Sequence, residues 1–279
     1  MMGTRLDSVA ILGGGNMAGA IAKSLIATAR PEGMRVTTGS TTPSWVHADG
    51  VEHRTCALDP LANLWAASGA DAVILGVKPP GIAPLAAEIA PALKPGALVI
   101  SVAVGVTLDA LAAALPAHAV PVRAMPNTPV AIGRGITAIS LKDDAPEGSA
   151  ERVRALLAPT GVVRELPERS IDNFSAVFGS GPAYVYYVME ALASALDEQG
   201  LTDEATGDLV AELVSASAAY LQSDGREAVQ LRAEVTSPGG STARAIGVFD
   251  DRDVRGAIGD GVRAAAMRAR ELGHAAPQR

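Results

Sequence analysis

Cysteine is almost absent. Cys56 stands alone, so the chain can form neither an intrachain disulfide nor a cysteine-based zinc cluster. His47, His53, His118 and His274 are scattered without metal-ligand spacing, and no metal site is expected. Aromatic residues make up only 3% of the chain, which leaves Ala, Val, Leu and Ile to fill the core and predicts close helix packing through small side chains. The formal charge is −7 and no basic block occurs, which argues against a nucleic-acid partner. No run approaches the ~20 apolar residues of a membrane span. The strand that begins near Ser8 leaves no room before it for the charged and apolar regions of a signal peptide. A soluble cytoplasmic protein without a membrane partner is the expectation.

Apolar residues amount to 48% of 279 positions, enough for two cored domains. Up to about residue 165, β-rich runs alternate with helical patterns. Strands are expected at 8–12, 34–39, 71–76, 97–102, 119–124, 135–140 and 161–165, and helices at 15–29, 58–69, 80–92 and 107–115. Val73-Ile74-Leu75-Gly76-Val77 and Ala97–Val102 are continuous apolar runs, as strands covered on both faces require. Thr107 before Leu108-Asp109-Ala110-Leu111 reads as an N-cap. The alternation predicts an α/β fold with a parallel, doubly wound sheet. After Leu166 strand signals fade. Val185, Val188, Met189, Leu192 and Leu196 recur at helical spacing before Gly200, and further helices fit 202–223, 225–233, 241–248 and 251–272. The boundary is expected near 165.

Val9-Ala10-Ile11-Leu12-Gly13-Gly14-Gly15-Asn16-Met17-Ala18 reads as strand, tight turn and helix start. Gly13 permits the turn, Gly15 lets the backbone approach a phosphate, and the small Ala18 lets helix and strand pack closely. The helix N-terminus then offers N–H groups and a positive dipole end to a dinucleotide pyrophosphate. An NAD site usually has an acid about 20 residues after the glycines. Here that region reads Thr37-Thr38-Gly39-Ser40-Thr41-Thr42, which favours NADP. Later strand ends should complete the pocket with Val77-Lys78-Pro79, Ala103-Val104-Gly105 and Met125-Pro126-Asn127-Thr128-Pro129. Asn127, stiffened by flanking prolines, offers an amide to a nicotinamide or serves as a structural turn residue. Near the other end, Ser237-Pro238-Gly239-Gly240-Ser241-Thr242 is a small-residue loop whose backbone can close on a small ligand.

These motifs resemble the pyrroline-5-carboxylate reductase family over nearly the whole chain. The resemblance rests on Gly13-x-Gly15-Asn16-Met17, Val77-Lys78-Pro79, Arg123-Ala124-Met125-Pro126-Asn127-Thr128-Pro129, Gly179-Ser180-Gly181-Pro182-Ala183-Tyr184, and Leu231-Arg232 followed by Thr236–Thr242. It implies a Rossmann-like NAD(P)-binding domain at 1–165 and an all-α substrate-binding and dimerisation domain at 166–279. It also implies self-association as a dimer, with a larger ring of dimers left open. The implied reaction is reduction of 1-pyrroline-5-carboxylate to L-proline, the last step of proline biosynthesis, with NADPH as cofactor and NADH also accommodated. By the same resemblance Gly13–Met17 hold the pyrophosphate, and Ser40 and Thr41 lie by the adenosine ribose. Asn63 sits near the cofactor, and Val77-Lys78-Pro79 with Ala103-Val104-Gly105 line its groove. Glu168, Ser237, Gly239, Gly240, Ser241 and Thr242 bind substrate. Phe178 departs from the family pattern, standing where a serine usually precedes Gly-Ser-Gly-Pro.

A cyclic imine with a protonated or hydrogen-bonded nitrogen is already electrophilic, so hydride transfer needs no covalent nucleophile. The catalytic group expected is Thr242, its hydroxyl on the ring nitrogen, with backbone N–H groups around Gly239–Thr242 holding the carboxylate. A β-hydroxyacid dehydrogenase would carry a catalytic lysine in its second domain, whereas Lys23, Lys78, Lys94 and Lys142 all precede it. Another NADP-dependent imine reductase and a non-catalytic NADP-binding sensor stand as alternatives.

Overall fold

The computed structural model describes residues 6–28, 33–201 and 206–274. Its elements run β1 (Ser8–Leu12), α1 (Asn16–Thr28), β2 (Gly33–Thr38), β3 (Val51–Thr55), α2 (Ala62–Ala67), β4 (Ala72–Leu75), α3 (Pro79–Ile89), β5 (Leu98–Ser101), α4 (Leu108–Ala113), β6 (Val120–Met125), β7 (Gly135–Leu141), α5 (Ser149–Leu157) and β8 (Gly161–Glu165). Then come α6 (Ile171–Phe174), a π-helical turn at Ser175–Gly179, α7 (Gly181–Glu198), α8 (Thr206–Asp224), α9 (Ala228–Glu234), α10 (Ser241–Asp251) and α11 (Val254–His274). Residue 29 of the first expected helix and residues 202–205 of the helix expected at 202–223 lie outside the described residues.

Among the described residues the strands form one eight-stranded sheet in the order β3-β2-β1-β4-β5-β6-β7-β8. Neighbours are parallel except β6 and β7, which run antiparallel. The chain leaves β1 toward β2 on one side and later returns to place β4 on the other, so the carboxyl ends of β1 and β4 flank a topological switch point.

Strand periodicity sends alternate side chains to opposite faces. Ile11, Ile74 and Ile100 pack on one face with Ile21 and Leu25 of α1 and Val153 of α5. Leu12, Leu75 and Val99 pack on the other with Ile82 and Ile89 of α3 and Leu111 of α4. Burying each of these aliphatic side chains is worth about 1.5–3 kcal/mol. The expected N-cap is present, with Ala110 N–H donating to Thr107 Oγ1 at 3.1 Å.

In the sheet domain, β3 and α5 fall outside the sequence expectation. β3 is an edge strand with no fully buried residue, and its charged alternation through Glu52, His53 and Arg54 hid it. α5 buries Val153, Leu156 and Leu157 at helical spacing and forms the crossover that makes β7 and β8 parallel. Among the described residues the β6–β7 pair is the one antiparallel pairing in an otherwise parallel sheet. The short connection after Met125, turning through Gly133 at φ 70°, has no room for a crossover helix.

The chain divides into two compact units. One holds the described residues to Ser180 with the end of α11 from Ala265, and the other is Gly181–Ala264. Helical texture does begin after Leu166, but Ile171 of α6 packs with Met125 and Ala138 and so belongs with the sheet. In the second unit α7 has no buried residue, and Val185, Tyr186, Tyr187, Val188 and Leu192 are exposed in the single chain, as are Leu209, Leu213 and Tyr220 of α8. An apolar surface of this extent marks an interaction face.

Candidate active site

The glycine turn after β1 is held from both sides of the sheet. Gly13 and Gly14 N–H each donate to Thr37 O at 3.0 Å, and Gly76 N–H, just beyond β4, donates to Leu12 O at 2.7 Å. Gly13 has φ 83°, and a Cβ there would come within 2.8 Å of Val77 Cγ1. At Gly15 an added Cβ would meet only Gly76 O, at 3.9 Å, so the position opens onto free space that a side chain would fill. The first i→i−4 bond of the helix runs from Gly19 N–H to Gly15 O, which leaves the preceding N–H groups without an intrahelical partner. With no acid in the first turn of α1, the turn fits a pyrophosphate.

The turn opens into a groove of about 680 Å³ at the switch point. Gly13, Gly15, Asn16, Met17, Ser40, Thr41, Val77, Lys78, Pro79, Ala103 and Val104 line it, so most of the expected cofactor residues meet on one surface. Gly14, Thr38 and Gly39, from the same two stretches, line it too, as do Gly76 and Val102, which were not expected at the site. The signal for Gly76 was available, since it ends the apolar run of the strand beside β1. Lys78 caps α3 with extended backbone, Pro79 occupies the first helical turn, and the lysine side chain is exposed. Gly105, at φ 78°, shapes the turn beyond the groove wall.

At the end of β2 the Thr38 hydroxyl donates to Thr41 O at 2.5 Å and lies 2.9 Å from His53 Nε2. Since the Thr38 proton is committed to Thr41, the Nε2–H tautomer of His53 supplies the second bond. Burial, and next the neighbouring His47, hold the His53 pKa below its ordinary value, favouring this neutral form. Ser40 and Thr41 themselves are exposed at the rim.

Three expected site residues make structural bonds within the chain. Asn63 is not on the groove wall. Its Oδ1 accepts from Thr37 Oγ1 at 2.7 Å and its Nδ2 donates to Glu88 at 3.1 Å, so it braces the strand end that holds the glycine turn. Asn127 is 6% exposed, and its amide is engaged at both ends. Oδ1 accepts from Ile136 N–H at 2.8 Å and Nδ2 donates to Phe178 O at 3.0 Å, joining β7 to the π turn. These two bonds support the structural turn reading of Asn127.

Glu168 is the third. Its Oε1 accepts from Leu108 N–H at 2.6 Å at the start of α4 and lies 3.4 Å from Arg123 Nη1. The Arg123 side chain, 5% exposed, also donates to Asp172 at 2.5 Å. Glu168 thus ties α4 to β6, and it faces a separate groove of about 810 Å³ that shares no lining residue with the nucleotide groove. Phe178 stacks on Phe174 with ring centroids 4.7 Å apart, which explains an aromatic at that position.

In the second unit the loop Ser237-Pro238-Gly239-Gly240 leads directly into α10. Gly239 has φ 75°, and Gly240 N–H closes a turn onto Ser237 O at 3.0 Å. Gly240 is the N-cap residue, no side chain caps the helix, and Ser241 and Thr242 are its first two residues. Thr242 is therefore inside the helix rather than its cap. Its exposed hydroxyl stands beside uncapped N–H groups, a donor set suited to a carboxylate and one further polar atom.

Comparison with known proteins agrees with this architecture. Residues 168–272 match the family described as pyrroline-5-carboxylate reductase dimerisation, and residues 8–105 match NADP oxidoreductase coenzyme F420-dependent. The pyrroline-5-carboxylate reductase of Synechocystis sp. is 35% identical over 94% of this chain and 97% of its own length. The chain belongs to the pyrroline-5-carboxylate reductase family. The Corynebacterium melassecola pyrroline-5-carboxylate reductase is 33% identical over 96% of this chain and 99% of its own. The solved pyrroline-5-carboxylate reductase of Coxiella burnetii superposes with a TM-score of 0.85 at 34% identity, covering 96% of this chain and 99% of that one. The family's dimerisation region coincides with the helices whose apolar side chains are exposed in the single chain. Among the described residues no helix is long and apolar enough to cross a membrane, and no group of His, Cys, Asp and Glu could hold a metal ion.

Proposed function

We propose that this protein reduces the C=N bond of 1-pyrroline-5-carboxylate to give L-proline, the last step of proline biosynthesis. The observation that carries the reading is the uncapped start of α10 behind the Ser237–Gly240 turn, a small-anion site in a family of imine reductases. Bound NADPH supplies the hydride that adds to C5 of the protonated imine, leaving the secondary amine of proline and NADP+. The chain's own groups bind and orient. The Gly13–Met17 turn and the N-terminus of α1 hold the pyrophosphate, and Val77–Pro79 with Ala103 and Val104 form the groove walls. Backbone N–H groups at Ser241–Ala243 hold the substrate carboxylate, and the Thr242 hydroxyl hydrogen-bonds the ring nitrogen. Positioning of this kind supplies much of the acceleration in such a reaction.

The 166–279 region is the substrate-binding and dimerisation domain in this reading. The exposed apolar side chains of α7 and α8 support a dimer, and association of dimers into a larger ring adds to it. In this reading the enzyme works in the cytoplasm. The test is NADPH oxidation with 1-pyrroline-5-carboxylate, run beside NADH and beside a 3-hydroxy acid with NADP+. Rapid oxidation with the imine alone is expected. Nucleotide binding without turnover would replace the enzyme with a non-catalytic sensor.

A further inference from the structure

The lysines of this chain fall into two pairs. Lys94 is held by Asp71 at 2.5 Å and Lys142 by Asp109 at 2.7 Å. Lys23 and Lys78 have no ion-pair partner among the described residues, and both line grooves at the glycine turn. Lys78 borders the groove described above. Lys23 borders a second one, of about 610 Å³, which runs along the face of α1 that carries Asn16, Gly19 and Lys23. The two grooves share Gly14, Gly15, Asn16, Met17 and Thr41 and so are continuous. Among the described residues lining either groove there is no Asp or Glu, in a chain whose formal charge is −7. Two free ammonium groups in an acid-free channel select a ligand with more than one anionic centre.

A pyrophosphate at the start of α1 accounts for the glycine turn but not for a lysine two turns along that helix. Lys23 lines this second groove together with Gly19 and Trp45. The wall opposite Lys23 is Thr41, Pro43 and Trp45, from the connection after β2. In doubly wound folds that connection holds the adenosine ribose, where an acid binds a 2′-hydroxyl and a cation accommodates a 2′-phosphate. Here Thr38 and His53 hold the Thr41 backbone in place, and the exposed hydroxyls of Ser40 and Thr41 stand where the acid would be.

We infer that Lys23, together with the Ser40 and Thr41 hydroxyls, reads the 2′-phosphate of the dinucleotide and sets a preference for NADPH over NADH. This assignment rests on the nucleotide-dependent function proposed above.

Calorimetric titration separates the two. The ligand pairs are adenosine 2′,5′-bisphosphate against adenosine 5′-monophosphate, and NADPH against NADH. The proteins are the unaltered chain, Lys23→Gln, Lys23→Arg and Lys142→Gln. The unaltered chain should hold the 2′-phosphorylated member of each pair about tenfold more tightly or better, the scale of one charge-assisted hydrogen bond. Lys23→Gln should bring that ratio toward unity, Lys23→Arg should keep most of it, and Lys142→Gln, with the same loss of charge, should keep all of it. Lys23 is exposed, so its variants should melt with the unaltered protein. A Lys23→Gln protein with the original ratio, an unaltered chain without preference, or a Lys142→Gln protein that loses the ratio equally overturns the assignment. No nucleotide binding by the unaltered chain overturns the proposed function instead.

Discussion

Gly76 and Ala18 meet without room for another carbon: a Cβ on Gly76 would lie 2.2 Å from Ala18 Cβ and 2.5 Å from Gly13 O. This approach joins the end of β4 to the start of α1 across the switch point and so fixes the glycine turn from below. Gly76→Ala should therefore cost about 1–3 kcal/mol of stability through overpacking. It should also weaken nucleotide binding, because the relief available is movement of the turn itself. Gly33→Ala is the control, since nothing lies within 4 Å of its added Cβ. Urea unfolding with nucleotide titration checks both, and equal behaviour of the two variants would remove the proposed role of Gly76.

Much of this site could be read from residue order. Gly13–Met17, Lys78 and Val104 reach one groove because strand ends on either side of a switch point must converge there, and each carries a local mark of a strand end. Less could be read where one side chain type serves two purposes. Asn127 between prolines looks the same whether its amide faces a ligand or closes a turn, and only the bonds to Ile136 and Phe178 decide. Glu168 was carried by resemblance, and nothing near it in sequence pointed to Leu108 or Arg123 as partners. The β3 edge was missed because an edge strand with one solvent-facing row needs no apolar run. The spacing of Val153, Leu156 and Leu157 in α5 is that of an amphipathic helix and is legible in the sequence.

Asn127→Ala should leave Ile136 N–H and Phe178 O without their partners in a part-buried setting. A deficit of about 1–3 kcal/mol in denaturant unfolding is expected. Nucleotide affinity per folded molecule should change little. A variant of full stability with poor turnover would return Asn127 to the nicotinamide.

Asp71 joins the starts of β1 and β4. Its Oδ2 accepts from Asp7 N–H at 2.9 Å and Ser8 N–H at 3.0 Å, while Lys94 pairs with Oδ1. Burial pushes its carboxyl up, but Lys94 and the two N–H groups together hold it below the ordinary carboxylate range. A pKa depressed on folding contributes stability that is present above the unfolded value of about 3.9 and fades as pH falls through the folded one. The unaltered chain should therefore exceed Asp71→Asn in stability near neutral pH, and the gap should close between about pH 5 and pH 2. A gap constant across that range would exclude Asp71 from the acid response.

Thr242 offers the cleanest separation of chemistry from folding. Its hydroxyl is exposed at the second position of α10 and makes no capping bond, so its removal leaves no buried group unsatisfied. Alanine is also the better helix former. Thr242→Ala should accordingly change stability by less than about 0.5 kcal/mol. The bond proposed for this hydroxyl goes to a nitrogen that carries charge as the imine is reduced, and such bonds are worth about 1.5–3 kcal/mol. The expected loss in kcat/KM is thus about tenfold to a hundredfold, with NADPH affinity unchanged because the cofactor lies on other residues. Thr242→Ser keeps the hydroxyl and should recover most of the rate. Unchanged kcat/KM in the alanine variant would show that the uncapped backbone of α10 alone carries the substrate.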